Sequence, residues 1–160
     1  METRIQEFLE KNRIKYIVHT HKAVFTCEEA DIHCKHVPGT PGKNLFLKED
    51  KGNQFFLVIL PADKKLNMNS LAPVLSVKKL KFANENELKE ILGLTPGSVS
   101  PLGLLNDKEK KTRVIIDQEI WEAETVNFHP NINTESLEFT RDNFHRLITI
   151  LLSNFEILKI

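Results

Sequence analysis

A chain of 160 residues, 41% of them hydrophobic, is long enough for one domain with a proper core. Its 22 basic and 22 acidic residues leave no net charge, which excludes the strongly basic surface of a nonspecific nucleic-acid binder but leaves room for RNA contact through a local patch. The two cysteines, Cys27 and Cys34, exclude a disulfide framework, and with no apolar signal core and no apolar run of about 18 residues the expectation is a soluble, cytoplasmic protein.

Thr3-Arg-Ile-Gln6 reads as a capping box that opens a helix ending near Asn12, with Ile5, Phe8 and Leu9 at helical spacing. Lys15–Thr20 is β-rich and reads as a strand. Thr26-Cys-Glu-Glu29 is a second capping box, so a helix is expected from Cys27 to about Lys35, broken by His36–Gly42. Lys43–Lys48 and Gln54–Leu60 read as two strands joined through a hairpin at Glu49–Asn53. Asn69 is the expected cap of a short helix, Ser70–Leu75. Asn84-Glu-Asn-Glu87 caps a helix that Gly93 stops. Thr112–Asp117 reads as a buried strand, and Glu124–Phe128 and Ser136–Thr140 as an antiparallel pair. Arg141 to about Ser153 forms the last long helix, and Phe155–Ile160 is either a terminal strand or a frayed tail. Hairpin spacing outweighs βαβ spacing. The expected class is α+β: a single compact domain over residues 1–160, with a mostly antiparallel (mixed), partly barrel-like central sheet surrounded by helices.

Thr95-Pro-Gly-Ser-Val-Ser-Pro-Leu-Gly103 carries the most chemical information. Pro96 and Pro101 restrict the backbone, and Gly97 permits a positive φ between them. Such a loop can aim bare amides at a carbonyl oxygen or a phosphate; by itself it is also an ordinary tight turn. Lys43 opens an apolar strand after two Pro-Gly steps, where it can meet a phosphate or an ester oxygen or simply reach water. His129 ends a strand between Phe128 and Pro130, in either a structural or a functional role.

Other chemistries find less support. Cys27, His33, Cys34 and His36 lie within ten residues, but adjacent helical positions diverge by about 100° and no tetrahedral zinc spacing exists. Neither cysteine follows a strand or a strained elbow, although Cys27 at a helix start would have a lowered thiol pKa. No nucleophile elbow, Walker loop or dinucleotide glycine pattern is present. Lys64, Lys65, Lys78, Lys79 and Lys81, and Lys108, Lys110, Lys111 and Arg113, form two basic runs that read equally as solvated faces.

Five ordered segments together resemble the YbaK/prolyl-tRNA-synthetase-associated editing domain family: His21–Thr26, Lys43–Leu47, Leu92–Pro101 with Leu105–Asp107, Val126–Pro130, and Asn133-Thr134. The likeness runs from about His21 to Phe144 and is nearest to the free-standing subgroup that hydrolyses alanine wrongly attached to proline tRNA. The resemblance implies a compact α+β fold with an open pocket. Lys43 takes the place of the family's functional lysine, and Gly97–Pro101 that of its GxxxP loop, with Ser98, Val99 and Ser100 between. Asn44 and His129 fall on positions used around the pocket, and Lys43-Asn44 favours the alanine-directed over the cysteine-directed subgroup. The chain departs from the family at Glu135, Ser136 and Glu138, and at Ser153-Asn154 where a glycine-histidine is usual.

On this reading Lys43, Gly97 and His129 are the catalytic candidates. Asn44, Ser98, Val99, Ser100 and Pro101 bind substrate, and Thr26, Ala30, His33 and Phe46 wall a pocket too small for proline. No metal or cofactor is called for. The implied partner is the 3′ acceptor end of an aminoacylated tRNA, with a prolyl-tRNA synthetase as a further candidate, no membrane, and a monomeric state. The alternatives are a Cys-tRNA(Pro) deacylase, an inactive tRNA- or synthetase-binding module, and, more weakly, a metal-dependent hydrolase.

Overall fold

The computed structural model describes residues 1–160, except the side chain of Cys27. In chain order the elements are α1 (Thr3–Lys11), β1 (Ile17–Thr20), α2 (Cys27–His33), β2 (Thr40–Glu49), β3 (Phe55–Pro61), α3 (Met68–Val74), β4 (Leu80–Phe82) and α4 (Glu85–Leu92). A 3₁₀ helix, Pro101–Asn106, then leads to β5 (Thr112–Asp117), α5 (Gln118–Glu122), β6 (Thr125–Phe128), β7 (Glu135–Thr140), α6 (Arg141–Leu151) and β8 (Glu156–Leu158).

The eight strands form one open mixed sheet in the order β1-β7-β6-β2-β3-β5-β8, with β4 paired to β2. Pairings β1–β7, β6–β7, β2–β3 and β2–β4 are antiparallel, whereas β2–β6, β3–β5 and β5–β8 are parallel. The α+β class holds, and the terminal segment is a strand, β8, beside β5.

β3 is buried on both faces. Leu57 and Ile59 join Ile5, Leu9, Leu92, Phe144 and Ile148 in the larger core under α1, α4 and α6. Phe56, Val58 and Leu60 join Leu71, Leu75 and Leu80 in a second core under α3. A strand covered on both sides needs a continuous apolar run, as Phe55–Leu60 supplies.

β2 links the two parts of the sheet. Thr40 and Pro41 pair with β6, Gly42–Lys48 pair with β3, and Leu47–Glu49 also pair with β4. Gly42 makes the crossing possible, since a Cβ there would lie 2.1 Å from Phe128 Cε1.

Local signals were partly displaced. Thr3 caps nothing: the N-cap of α1 is Glu2, with no side-chain bond. Asn67, not Asn69, caps α3 by accepting from the Ser70 amide at 3.1 Å. Thr26 caps α2 as expected, but Glu29 closes onto the amide of Phe25 instead of that of Thr26. At Asn84 the full capping box forms with Glu87, and Gly93 ends α4 in the left-handed region.

Candidate active site

A cleft of about 250 Å³ opens where β2 passes from β6 to β3. Its floor is Pro41–Asn44 on β2, Asn127 and Phe128 on β6, and Ala62 after β3. One wall is Val24–Thr26 with Ala30 and Cys34, along and around α2. The loop residues Gly97 and Val99 form another wall, and His129 and Ser136 a third.

Lys43 and Gly97 thus border the same cavity, although 54 positions separate them in the sequence. Lys43 is half-buried, and among the described residues its ammonium has no carboxylate partner. Among the described residues no aspartate or glutamate lines the cleft. A lone cation beside neutral walls is suited to an anion or a polarised carbonyl.

The glycine loop has a definite geometry. The Ser98 amide donates to the Thr95 carbonyl at 3.1 Å across Pro96 and Gly97, and Gly97 has φ +85°. Proline then a positive-φ glycine at the two central positions is the type II pattern. The turn uses the amide of Ser98, while among the described residues those of Gly97 and Val99 meet no protein acceptor. Ser100 is fully buried, and its Oγ accepts from the Leu102 amide at 3.1 Å to cap the 3₁₀ helix that Pro101 begins.

His129 is held by its Nδ1–H, which donates to the Glu135 carbonyl at 2.9 Å and leaves Nε2 as the lone-pair nitrogen. Burial is the main cause that lowers its pKa, opposed by this hydrogen bond and assisted by nearby His21. The His21 and His129 rings lie 5.6 Å apart, centroid to centroid.

Of the residues singled out in the sequence, Lys43, Asn44, Gly97, Val99, His129, Thr26 and Ala30 line the cleft. Five do not. Phe46 is in the core, stacked on Phe55 at 5.6 Å, because it lies two residues further along β2 than Asn44, on the same face, where the larger cluster covers it. Ser100 and Pro101 are consumed by the 3₁₀ helix, Ser98 by the turn, and His33 gives way to Cys34 one position on. Burial raises the Cys34 thiol pKa, the opposite of what a nucleophile needs. The Cys27 reading lies outside the described residues. Among those residues, no three His, Cys, Asp or Glu side chains form a metal-binding group.

The sequence alone missed Phe25, Asn127 and Ser136. Phe25 is 67% exposed yet lies against the glycine loop, where a Cβ on Gly97 would sit 3.2 Å from its ring. An exposed phenylalanine just ahead of a helix cap was the available signal. Nothing local marked Ser136.

The fold and cleft define a class: an α+β domain with an open cleft, free of carboxylates among the described residues, bordered by a lysine and a glycine loop. The aminoacyl-tRNA editing domain matches residues 21–147, and the chain belongs to that family. It is 33% identical over 141 residues to the "Prolyl-tRNA editing protein ProX" of Acetoanaerobium sticklandii, covering 88% of this chain and 85% of that one. It is 32% identical to the mouse "Prolyl-tRNA synthetase associated domain-containing protein 1", with 90% and 87% covered. A solved structure of a candidate trans-editing enzyme for prolyl tRNA synthetase superposes with a TM-score of 0.74 at 16% identity, covering 99% of this chain and 97% of that one. No helix of the described residues is long and apolar enough to cross a membrane.

Proposed function

We propose that the chain is a trans-acting hydrolase that removes wrongly attached alanine from proline tRNA. The observation that carries this reading is the shared cleft: Lys43, Gly97 and Val99 border one cavity. An aminoacyl ester is already activated, so its hydrolysis needs a positioned water and stabilisation of charge on the carbonyl oxygen. The free amides of Gly97 and Val99 supply donors for that oxygen, each worth about 3 kcal/mol in the transition state. Lys43 neutralises the terminal phosphate or orients the adenosine. No side-chain base is required if the vicinal ribose hydroxyl guides the water.

Alanine is the first choice because a synthetase pocket shaped for proline excludes a smaller side chain poorly, each missing methylene being worth about 1–3 kcal/mol. A second cavity walled by Val24, Thr26, Ala30 and Cys34 rejects larger acyl groups by contact. The ProX name supports proline tRNA, and the mouse relative's name supports a synthetase partner. The proposed place of action is the cytoplasm, where tRNA is charged.

The test is deacylation of proline tRNA carrying alanine, cysteine or serine. Alanine is expected to be released fastest, and Lys43→Ala to lose at least tenfold. Cysteine released fastest moves the assignment to a Cys-tRNA(Pro) deacylase. Wild type and Lys43→Ala equally inert on all three removes the enzyme reading in favour of a binding module. A substrate lacking the vicinal hydroxyl, cleaved at the normal rate, refutes the proposed guidance of water.

A further inference from the structure

Among the described residues, the four most exposed large hydrophobic side chains fall into two pairs. Phe25 (67%) and Ile32 (72%) stand at the two ends of α2. Val74 (60%) ends α3, and Phe82 (58%) ends β4, the strand that α3 packs against. The helix α2 turns Ala30 to the cleft and Ile32, about 200° further round, to the outside. Glu28 and Asp31 are exposed between Phe25 and Ile32, and among the described residues neither has an ion-pair partner. With Glu29, which closes on the Phe25 amide, they make this face acidic against Lys35 just beyond the helix. The second pair has the opposite sign. By strand alternation Phe82 shares the face of Leu80, opposite Leu47, so its ring prolongs the second core into solvent. Lys78 and Lys79 are exposed between Val74 and Phe82 in the chain, and among the described residues neither has an ion-pair partner, whereas Lys81 is held by Asp50 at 3.3 Å. The two sites flank opposite ends of β2: α2 walls the cleft over Pro41–Asn44, and Phe82 pairs with Leu47. All four side chains stay exposed, so the sites do not cover one another within one copy.

We propose that they cover one another between copies: the acidic, apolar face of α2 docks on the basic, apolar margin of α3 and β4 in a second copy of this chain, head to tail. Charge complementarity selects this pairing, because α2 against α2, or β4 against β4, sets like charges face to face. The two surfaces differ, so the contact is heterologous and leaves one free site of each kind on a dimer, to which further copies can add. Patches this small fall at the transient end of interface sizes, so association is expected at ~0.1–1 mM protein and weakens with salt. This self-association replaces the monomeric state expected from the sequence and stands independently of the deacylase reading.

Sedimentation velocity on the full chain at low salt, from ~10 µM to ~1 mM, tests it across the range where transient contacts form. The weight-average sedimentation coefficient is expected to rise with concentration, and ~0.5 M NaCl to suppress the rise. Glu28→Lys with Asp31→Lys, and separately Lys78→Glu with Lys79→Glu, should each abolish it. Their equimolar mixture should regain it, since each variant supplies the charge that the other lacks, and the recovery shows that both are folded. A wild-type coefficient that stays at the monomer value up to ~1 mM overturns the proposal. Binding of a prolyl-tRNA synthetase to α2 by such a monomer would assign the face to that partner instead. Association that survives the exchange at Lys78 and Lys79 means that α2 meets α2 and also overturns it, as does a mixture that stays monomeric.

Discussion

Replacing Gly97 with alanine tests the loop most directly. The residue sits at φ +85°, where an L side chain costs about 1–2 kcal/mol. The added Cβ would lie 3.2 Å from Phe25 Cδ1, but that ring is 67% exposed and free to swing aside, so backbone strain dominates. For a chain of this size a 1 kcal/mol loss lowers Tm by about 2–4 °C, giving an expected drop of about 2–8 °C by thermal melting. Relief of the strain rotates the 95–98 turn and misdirects the neighbouring amides. The loss of one such donor is about 3 kcal/mol, roughly a hundredfold in kcat on the alanyl ester. Gly97→Asn, with a side chain that tolerates the left-handed region, should melt between the two. Unchanged Tm would refute the strain argument, and unchanged kcat would refute the role given to the loop amides.

Other expectations follow from the polar contacts. Lys64 Nζ lies 2.8 Å from the buried Asp117 carboxylate, so Lys64→Met strands that charge and should cost about 3 kcal/mol in urea unfolding. The Asp117 hydrogen bond is the main cause raising the Lys64 pKa, so this stabilisation is complete below the ordinary lysine range and is lost only above it; stability in wild type should show that extra alkaline fall and Lys64→Met should not. His129 has a lowered pKa, so its contribution is present above about pH 6.5 and fades as the unfolded chain takes up a proton below that. Melting curves from pH 7.5 to 5 should flatten in His129→Gln, and parallel slopes would contradict this. Asn84→Ala removes the side-chain half of the capping box, leaving the residue-84 amide to donate to Glu87, and should cost about 1 kcal/mol, read by chemical denaturation.

The sequence disclosed what is local. Asn84 with Glu87 and Gly93 delimited α4 because cap chemistry is completed within a few residues. Asn69 was expected to cap α3, but the helix starts earlier and Asn67 caps it, a boundary set by the packing of Leu71 and Leu75 on the second core. The parallel pairings of β3–β5 and β5–β8 were hidden because apolar runs such as Thr112–Asp117 specify burial, not a partner's direction. In the site, Lys43 and Gly97 were legible through the family resemblance, as was His129. Phe46 was misjudged because a strand residue's depth is set by the sheet that closes over it. The His21–Ser136 bond spans 115 positions and has no local signature.

The placement of Lys43 on β2 has one more consequence. A slide of that strand by a single residue would exchange the faces taken by Lys43 and Asn44 and alter what each presents to the cavity. Three separate ladders would have to break at once for that to happen, one of them threaded through Gly42 under an aromatic ring. The short helix α2 across the cleft has no such bolts. Laboratory evolution of acyl preference can therefore rewrite Ala30 and its neighbours freely, while the lysine stays fixed in its register.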